Sequence, residues 1–307
     1  ANAFSGCSRL ERLHLPEGLC SIGEGAFDGC VKLFEQAKRY DGFYVLDGWA
    51  VDPWGLGVLE HGIHGGKLVL PEGVRGVAER TFAKRSVPNF ATNETWTAKA
   101  TSFVSLPKSL RHIGDVFCGS TVASIELPDG VGAIGRGAFS GCTNLLSVSI
   151  PASVTSDLVA AFLWCPSLLS LDVSPENPKY KSIDGVVYSK DGKNLLFCPR
   201  GKSTVAIPQG ITNIGVSAFF SCANLTAVDI PEGVECIGAY AFGDCRRLME
   251  MRLPSTLQKL HMFSVGYPCV PERILTASGD AARVCKLVGD AYVNTRCYNE
   301  EELFVVD

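Results

Sequence analysis

Apolar and polar positions follow one pattern that recurs along the chain with a period of 23 residues. In the copy at residues 225–245, Val228 and Ile230 alternate with Asp229, which predicts a short strand with one buried face. Pro231 has no N–H to donate and ends this strand. Because units copied at a fixed period stack on one another, the pattern predicts a solenoid in which each copy forms one coil.

The second half of each copy predicts the side of the coil on which the chain returns. In the same copy Val234 and Ile237 begin this side, and a tight helical turn follows that ends at Cys245. Since a single coil cannot bury its own apolar edge, coils are expected to stack at about 4.8 Å with like residues in columns. Six copies place a phenylalanine three residues before a cysteine, namely Phe4 and Cys7, Phe27 and Cys30, Phe139 and Cys142, Phe162 and Cys165, Phe219 and Cys222, and Phe242 and Cys245.

The repeat phase predicts nine strands, which end at Leu15, Leu70, Leu106, Leu127, Ile150, Val173, Ile207, Ile230 and Leu253. The predicted fold class is therefore α/β: a β-rich solenoid of about nine coils with short helical turns, over residues 1–262. Beyond it the pattern fades, and residues 263–307 are predicted to cap the last coil. Within that segment, Asp280–Val288 is predicted to form a short helix with one apolar face.

Three inserts break the repeat, at about residues 34–66, 84–101 and 174–202. In the third insert, two β-rich runs within residues 180–197 surround Asp-Gly, which is a strong signal for a β-hairpin. The first insert holds a similar sequence at residues 43–51 and is predicted to form a hairpin of the same sort. The middle insert shows no period and predicts a long surface loop.

Charge and hydropathy limit the classes of partner. The 307-residue chain has a net charge of −4 and a pI near 5.8, so no basic surface for nucleic acid or for an anionic membrane is predicted. No run of eighteen uncharged apolar residues occurs, so no membrane insertion of this chain is expected. The first residues lie inside a repeat and carry neither the basic nor the apolar region of a secretion signal.

Cysteine and histidine spacing predicts no metal site. Six of the thirteen cysteines share one repeat position, which favours reduced thiols packed in a column over disulfides. Cys269, Cys285 and Cys297 lie off this column, and whether they form a bridge stays open. There is no Cys-x-x-Cys motif, and His61 and His64 have no third ligand nearby in the sequence. No Gly-x-Ser-x-Gly nucleophile motif occurs either, so neither a catalytic residue nor a cofactor is predicted.

The repeat resembles the BspA-like leucine-rich repeats, in which Leu-x-x-Ile-x-Ile-Pro-x-x-Val-x-x-Ile-Gly-x-x-Ala-Phe-x-x-Cys recurs. The resemblance covers roughly residues 1–262. It implies a right-handed, curved leucine-rich-repeat solenoid of the kind found in secreted or cell-surface proteins of gut and oral bacteria and some protists. Such proteins are usually described as adhesins or interaction modules, and the repeat carries no catalytic residues.

Two sets of residues are candidates for a contact surface. The first set comprises the outward positions of the nine predicted strands, expected to form one ladder: His14, Val69, Ser105, Glu126, Ser149, Asp172, Ala206, Asp229 and Arg252. Its charged members and His14 are the candidate binding residues, although a merely solvated sheet face fits the same pattern. The second set comprises the aromatic residues of the inserts, Trp49, Trp54, Phe90 and Trp96. Exposed, they would anchor a protein or stack on a sugar; buried, they would form a satellite core.

The sequence therefore predicts a noncatalytic module for protein–protein interaction or adhesion, belonging to a secreted or cell-surface bacterial protein. The expected partner is a host or cell-surface protein. The alternative is a carbohydrate-binding accessory module of a larger degradative protein, with a glycan bound through the tryptophans of the inserts.

Overall fold

The computed structural model describes residues 2–40, 43–51, 67–78, 81, 103–114, 117–265, 271, 273–276, 280–292 and 305–306. The chain forms two compact units, unit 1 (Ala1–Cys165) and unit 2 (Pro166–Asp307).

Unit 1 contains, in chain order, α1 (Val31–Glu35), β1 (Lys38–Tyr40), β2 (Phe43–Leu46), β3 (Trp49–Val51), β4 (Lys67–Val69), β5 (Gly76–Val77), β6 (Phe103–Ser105), β7 (His112–Ile113), β8 (Ser124–Glu126), β9 (Ala133–Ile134), β10 (Ser147–Ile150) and α2 (Leu158–Ala161). Unit 2 contains β11 (Ser170–Val173), β12 (Tyr180–Ile183), β13 (Val186–Ser189), β14 (Asn194–Phe197), β15 (Asn213–Ile214), β16 (Ala227–Asp229), β17 (Cys236–Ile237), β18 (Glu250–Arg252), β19 (Lys259–Leu260), β20 (Arg273–Leu275), α3 (Ala281–Tyr292) and β21 (Val305–Val306).

Each unit is built from stacked coils, which confirms the predicted solenoid; the described residues form about eight coils, roughly consistent with the nine expected. The strand of one coil pairs in parallel with the strand one repeat later, so that Ala227 faces Glu250 and Glu250 faces Arg273. A second ladder runs along the return side, where strands of two residues also pair in parallel: β5, β7 and β9 in unit 1, and β15, β17 and β19 in unit 2. The sequence predicted only the first of these ladders.

Two of the nine predicted strands are not strands in the structure. The segments that end at Leu15 and Ile207 are described and have no strand pairing. At Leu15 the backbone N–H donates to a carboxylate oxygen of Asp47, in the turn of the first hairpin, at 2.6 Å rather than to a neighbouring strand.

The first ladder of unit 2 also extends beyond residue 262, where a cap was predicted. Strand β20 pairs with β18, and β21 pairs with β20. Helix α3 begins at Ala281 and ends at Tyr292, so it is longer at its C-terminus than the predicted helix. Val284 and Val288 on α3 are buried in the same core as Phe219 and Phe242. The division into a solenoid and a capping segment stays a prediction.

The columns of phenylalanine and cysteine exist as predicted. The rings of Phe117, Phe139 and Phe162 stack in succession, with centroids 5.3 and 4.9 Å apart, and Phe219 stacks on Phe242 at 4.7 Å. The cysteines at the repeat position are free thiols, and all are buried except Cys7. Cys7, in the first of these copies, is exposed. Whether Cys269, Cys285 and Cys297 form a bridge lies outside the described residues.

The first and third inserts form hairpins that extend the return-side sheets. Strands β2 and β3, and likewise β12 and β13, pair antiparallel around Asp47-Gly48 and Asp184-Gly185. All four turn residues have positive φ, from 43° to 78°, which is the geometry of a type I′ turn. Strand β3 then pairs in parallel with β5, and β14 pairs in parallel with β15. The middle insert, at 84–101, lies outside the described residues.

Candidate functional site

The outward strand positions present exposed side chains in both units. In unit 1, Glu126 on β8 is exposed and lies opposite Ser149 on β10. In unit 2, Asp229 and Arg252 are exposed and face each other across β16 and β18, with Arg252 Nε 3.9 Å from Asp229 Oδ1. These predicted contact residues are therefore accessible. That they continue in one ladder through the whole chain stays a prediction.

Charges on the outward face of unit 2 alternate between neighbouring strands. Besides the pair of Arg252 with Asp229, Arg273 on β20 lies 3.3 Å from Glu250 on β18. Exposed ion pairs of this kind contribute only about 0.2–1 kcal/mol each to stability. The side chains therefore remain available to exchange their present partner for one on another protein.

His14 does not lie on a strand, in contrast to the predicted ladder, and its role in binding stays a prediction. It is exposed, but it is not part of a strand ladder; its Nδ1 lies 3.2 Å from Asp47 Oδ2, in the turn of the first hairpin. Arg75 donates from one guanidinium nitrogen to the carbonyl oxygens of Leu15 and Asp47, at 2.7 and 3.1 Å. His14 thus belongs to a polar cluster that joins the hairpin to the preceding coil.

The expectation that Trp49 serves as a contact residue is wrong. Its side chain on β3 is only 1% exposed and stacks on the imidazole of His112, with ring centroids 6.0 Å apart. A buried indole cannot anchor a partner, so Trp49 fits the alternative of a core residue beneath the insert. Burial also lowers the pKa of His112, which keeps the stacked ring neutral at neutral pH. Trp54, Phe90 and Trp96 lie outside the described residues.

A polar groove of about 630 Å³ opens in unit 2 beside the predicted contact residue Asp172. Strand β11 forms one wall, the turn between β12 and β13 forms a second, and the segment after β14 forms a third. The lining residues are Leu169, Ser170, Asp172, Ser182, Asp184, Gly185, Gly201, Lys202, Ser203 and Thr204. The sequence placed Asp172 on a surface and did not predict the groove, because three separate segments within residues 169–204 form it by their tertiary packing.

Close backbone contacts fix the shape of this groove. A Cβ atom on Gly185 would lie 2.5 Å from Ser170 Oγ, and a Cβ atom on Gly201 would lie 2.8 Å from the carbonyl oxygen of Leu168. Because these positions are glycine, the turn between β12 and β13 and the segment around Gly201 can both pack closely against residues 167–170. A groove held in this way is preformed.

The groove carries hydroxyl groups and an excess of negative charge. Lys202 Nζ lies 2.8 Å from Asp184 Oδ2, and the Lys202 side chain is only 12% exposed. Ser170 donates from its hydroxyl to Asp172 Oδ1 at 2.5 Å, and Ser182 Oγ accepts from the N–H of Val173 at 2.9 Å. Among the described residues, Asp172 has no cation within ion-pair distance. It can therefore accept hydrogen bonds or pair with a basic group from outside.

Neither metal ligation nor a membrane span is supported in the described part of the chain. No group of three or more His, Cys, Asp or Glu side chains there could hold a metal ion. None of the helices there is long and apolar enough to cross a membrane.

Trp164 is an exposed aromatic residue that the sequence reasoning missed. Its side chain is 55% exposed, and its φ of +58° lies in the left-handed region. The available signal was its position, directly before Cys165, where other coils carry Gly, Ser or Asp.

Comparisons with known proteins agree with the fold. The sequence matches the BspA-type leucine-rich repeat region in six copies, over residues 1–38, 90–190 and 193–265. No significant match is found among curated proteins. The structure is similar to that of the pneumococcal vaccine antigen PcpA, with a TM-score of 0.51 and 20% identity over 78% of this chain and 75% of that one. It is also similar to a leucine-rich repeat protein of Eubacterium ventriosum, with a TM-score of 0.50 and 17% identity over 88% of this chain and 67% of that one.

At these identities the similar structures show the fold alone. The family match is of another kind, because it covers more than half of the chain and follows the repeat that the Phe and Cys columns display. The chain therefore belongs to the BspA-type leucine-rich repeat family.

Proposed function

We propose that the chain is a noncatalytic protein-interaction module of a secreted or cell-surface bacterial protein, and that its partner is a protein of a host or of a cell surface. The family supports this proposal, because leucine-rich repeat domains generally bind proteins. The similarity to a pneumococcal antigen supports the surface location.

The observation that carries the proposal is the contrast between inward and outward strand positions. Inward positions are apolar and buried from coil to coil, as Val228 and Met251 are, because stacking requires apolar side chains there. Outward positions differ from coil to coil, as Asp229 and Arg252 do, although they occupy equivalent places in the ladder. Core packing therefore does not determine the residue type at the outward positions, and these residues can be specific for a partner.

The groove beside β11 extends the proposed contact surface of unit 2. Its preformed walls mean that little ordering entropy is lost when a partner enters it. The carboxylate of Asp172 then supplies the polar contact that sets specificity, since it is exposed and adjoins the hydroxyl of Ser170.

Binding of the fluorescently labelled chain to bacterial and cultured epithelial cells tests the proposal. Charge reversal on the outward face, by Glu126→Lys or Asp172→Lys, should weaken binding at least tenfold, because each change opposes a matched charge on the partner. Glu235→Lys is the control, since this glutamate is also exposed but precedes return-side strand β17. Equal binding by all three variants, or no binding of the unaltered chain to any cell, would contradict the proposal.

The carbohydrate alternative loses one of its supports, because Trp49 is buried. Trp54 and Trp96 lie outside the described residues, so the alternative stays a prediction. A glycan array with the same labelled chain provides its test, and Trp96→Ala should abolish any signal if the alternative is correct.

A further inference from the structure

The groove beside β11 carries a net negative charge. All ten of its lining residues belong to unit 2, so the groove lies within one unit. Its ionisable side chains are those of Asp172, Asp184 and Lys202, and the ion pair between Lys202 and Asp184 cancels one charge of each sign. The carboxylate of Asp172 leaves a net charge of −1, which attracts a cationic group and repels an anionic one.

The groove also offers hydrogen-bond acceptors that no described residue uses. Asp172 Oδ1 accepts from the hydroxyl of Ser170, but Asp172 Oδ2 has no hydrogen bond to any described residue. The exposed hydroxyls of Ser203 and Thr204 likewise have no partner within the described part of the chain. A carboxylate only accepts, and a hydroxyl oxygen has two lone pairs, so a group with several N–H donors is complementary to this lining.

Other classes of ligand fit the groove less well. None of its lining residues is aromatic, so a sugar ring would find no surface on which to stack. A divalent cation prefers six or more oxygen ligands, and no cluster suited to a metal is found in the described part of the chain. Leu169 adds an exposed apolar side chain to the same lining as Asp172. A side chain with an aliphatic stem and a cationic end can contact both.

We propose that the groove binds an arginine side chain of the protein partner. A guanidinium has five N–H donors in one plane, enough to bond Asp172 Oδ2 and a wall hydroxyl together, whereas a lysine ammonium acts as a point charge. The methylene groups of the arginine pack on Leu169. A groove of about 630 Å³ is large enough for a drug-sized ligand, so a short segment around the arginine enters with it. This inference rests on the proposed function, of which it names the partner's contact group.

The test selects phage-displayed linear peptides on the unaltered full chain, with soluble Asp172→Asn chain as competitor. Enriched peptides should share an arginine. Replacing that arginine with citrulline, which keeps the shape and removes the charge, should weaken binding at least tenfold in a fluorescence anisotropy titration. Lysine in the same place should bind more weakly than arginine, because it lacks the planar fork of donors.

A double-substitution cycle assigns the contact to Asp172. The citrulline penalty should disappear on the Asp172→Asn chain and persist on the Glu235→Gln chain, a control that removes an exposed carboxylate elsewhere in unit 2. Thr204→Val removes a wall hydroxyl and keeps the shape of the side chain, so it should weaken peptide binding by about two- to tenfold, the effect of one hydrogen bond. Because citrulline alters the peptide and not the chain, its effect does not depend on how a substitution changes folding.

The inference is overturned if no peptide is enriched, if enriched peptides lack arginine, or if the citrulline penalty is the same on the unaltered and Asp172→Asn chains. A glycan-array signal that Asp172→Asn abolishes would also overturn it, in favour of a sugar. Peptide binding is measured without cells. Cell binding without any arginine-dependent peptide would therefore contradict this inference alone, and arginine-dependent peptides without cell binding would contradict the proposed function alone.

Discussion

At the residue scale, the repeat cysteine has a role that its column position alone did not reveal. In several coils its thiol donates to the carbonyl oxygen of the phenylalanine one coil earlier, at 3.1 Å from Cys30 to Phe4, 3.0 Å from Cys142 to Phe117 and 2.9 Å from Cys165 to Phe139. The small thiol therefore fills the corner of the coil and also satisfies a backbone acceptor that the helical turn leaves open. The spacing of Phe and Cys predicted the column. The hydrogen bond could not be predicted, because it depends on the position of each coil relative to the preceding one.

Gly76→Ala should destabilise unit 1, since Gly76 faces Trp49 across β3 and β5 and an added Cβ would lie 2.7 Å from the indole ring. We expect the free energy of unfolding to fall by about 1–3 kcal/mol, the usual effect of overpacking a core. Urea unfolding followed by circular dichroism measures the change.

Gly132→Ala is the matched control in the same unit, because its nearest contact would lie 3.9 Å away. An equal loss in both variants would show that the Trp49 contact is not responsible.

At the scale of elements, the hairpins were predictable and their attachment was not. Asp47-Gly48 and Asp184-Gly185 gave the turn from local sequence, because only a type I′ turn requires positive φ at both positions. The pairing of β3 with β5 and of β14 with β15 joins residues far apart in the chain, which no local pattern encodes. The groove beside Asp172 was missed for the same reason.

The carboxylate of Glu232 links two neighbouring turns of unit 2 and makes the stability of the fold depend on pH. The N–H and the hydroxyl of Ser255 donate to the two carboxylate oxygens of Glu232, each at 2.9 Å, and these bonds lower the pKa of Glu232. Because the folded pKa is below the unfolded one, the contribution to stability is present above the ordinary value of about 4.5 and is lost as pH falls through the folded pKa.

Glu232→Gln should therefore lower Tm at pH 7 and change it less at pH 3, because the contribution of the ionised carboxylate declines as the pH falls below about 4.5 towards the folded pKa. The effect is small, since Glu232 is solvent-accessible. Differential scanning calorimetry at both pH values measures it, and repeating the substitution on a Ser255→Ala chain should give a smaller change. A Tm difference that is the same at both pH values would refute the assignment.

At the scale of the whole molecule, the solenoid could be predicted from the sequence because most coils share the same 23-residue pattern of apolar positions. The stacks of Phe139 on Phe162 and of Phe219 on Phe242 are where the repeat placed them. Three departures from this pattern could not be predicted: the hydrogen bond from the N–H of Leu15 to Asp47, strand β20 beyond residue 262, and the exposed side chain of Trp164. Each occurs at only one place along the chain, so the average repeat carries no information about them.

Thiol labelling with iodoacetamide, resolved by peptide mass spectrometry, tests most directly the claim that repeat positions form buried columns. Under native conditions Cys7 and Cys20, which are exposed, should be modified, while the buried thiols should react only after denaturant is added: Cys30, Cys142, Cys165, Cys222 and Cys245. Burial protects them, and for Cys245 it also raises the pKa of the thiol, so that little reactive thiolate forms. Native modification of the buried set as fast as that of Cys7 and Cys20 would contradict the stacked-coil account.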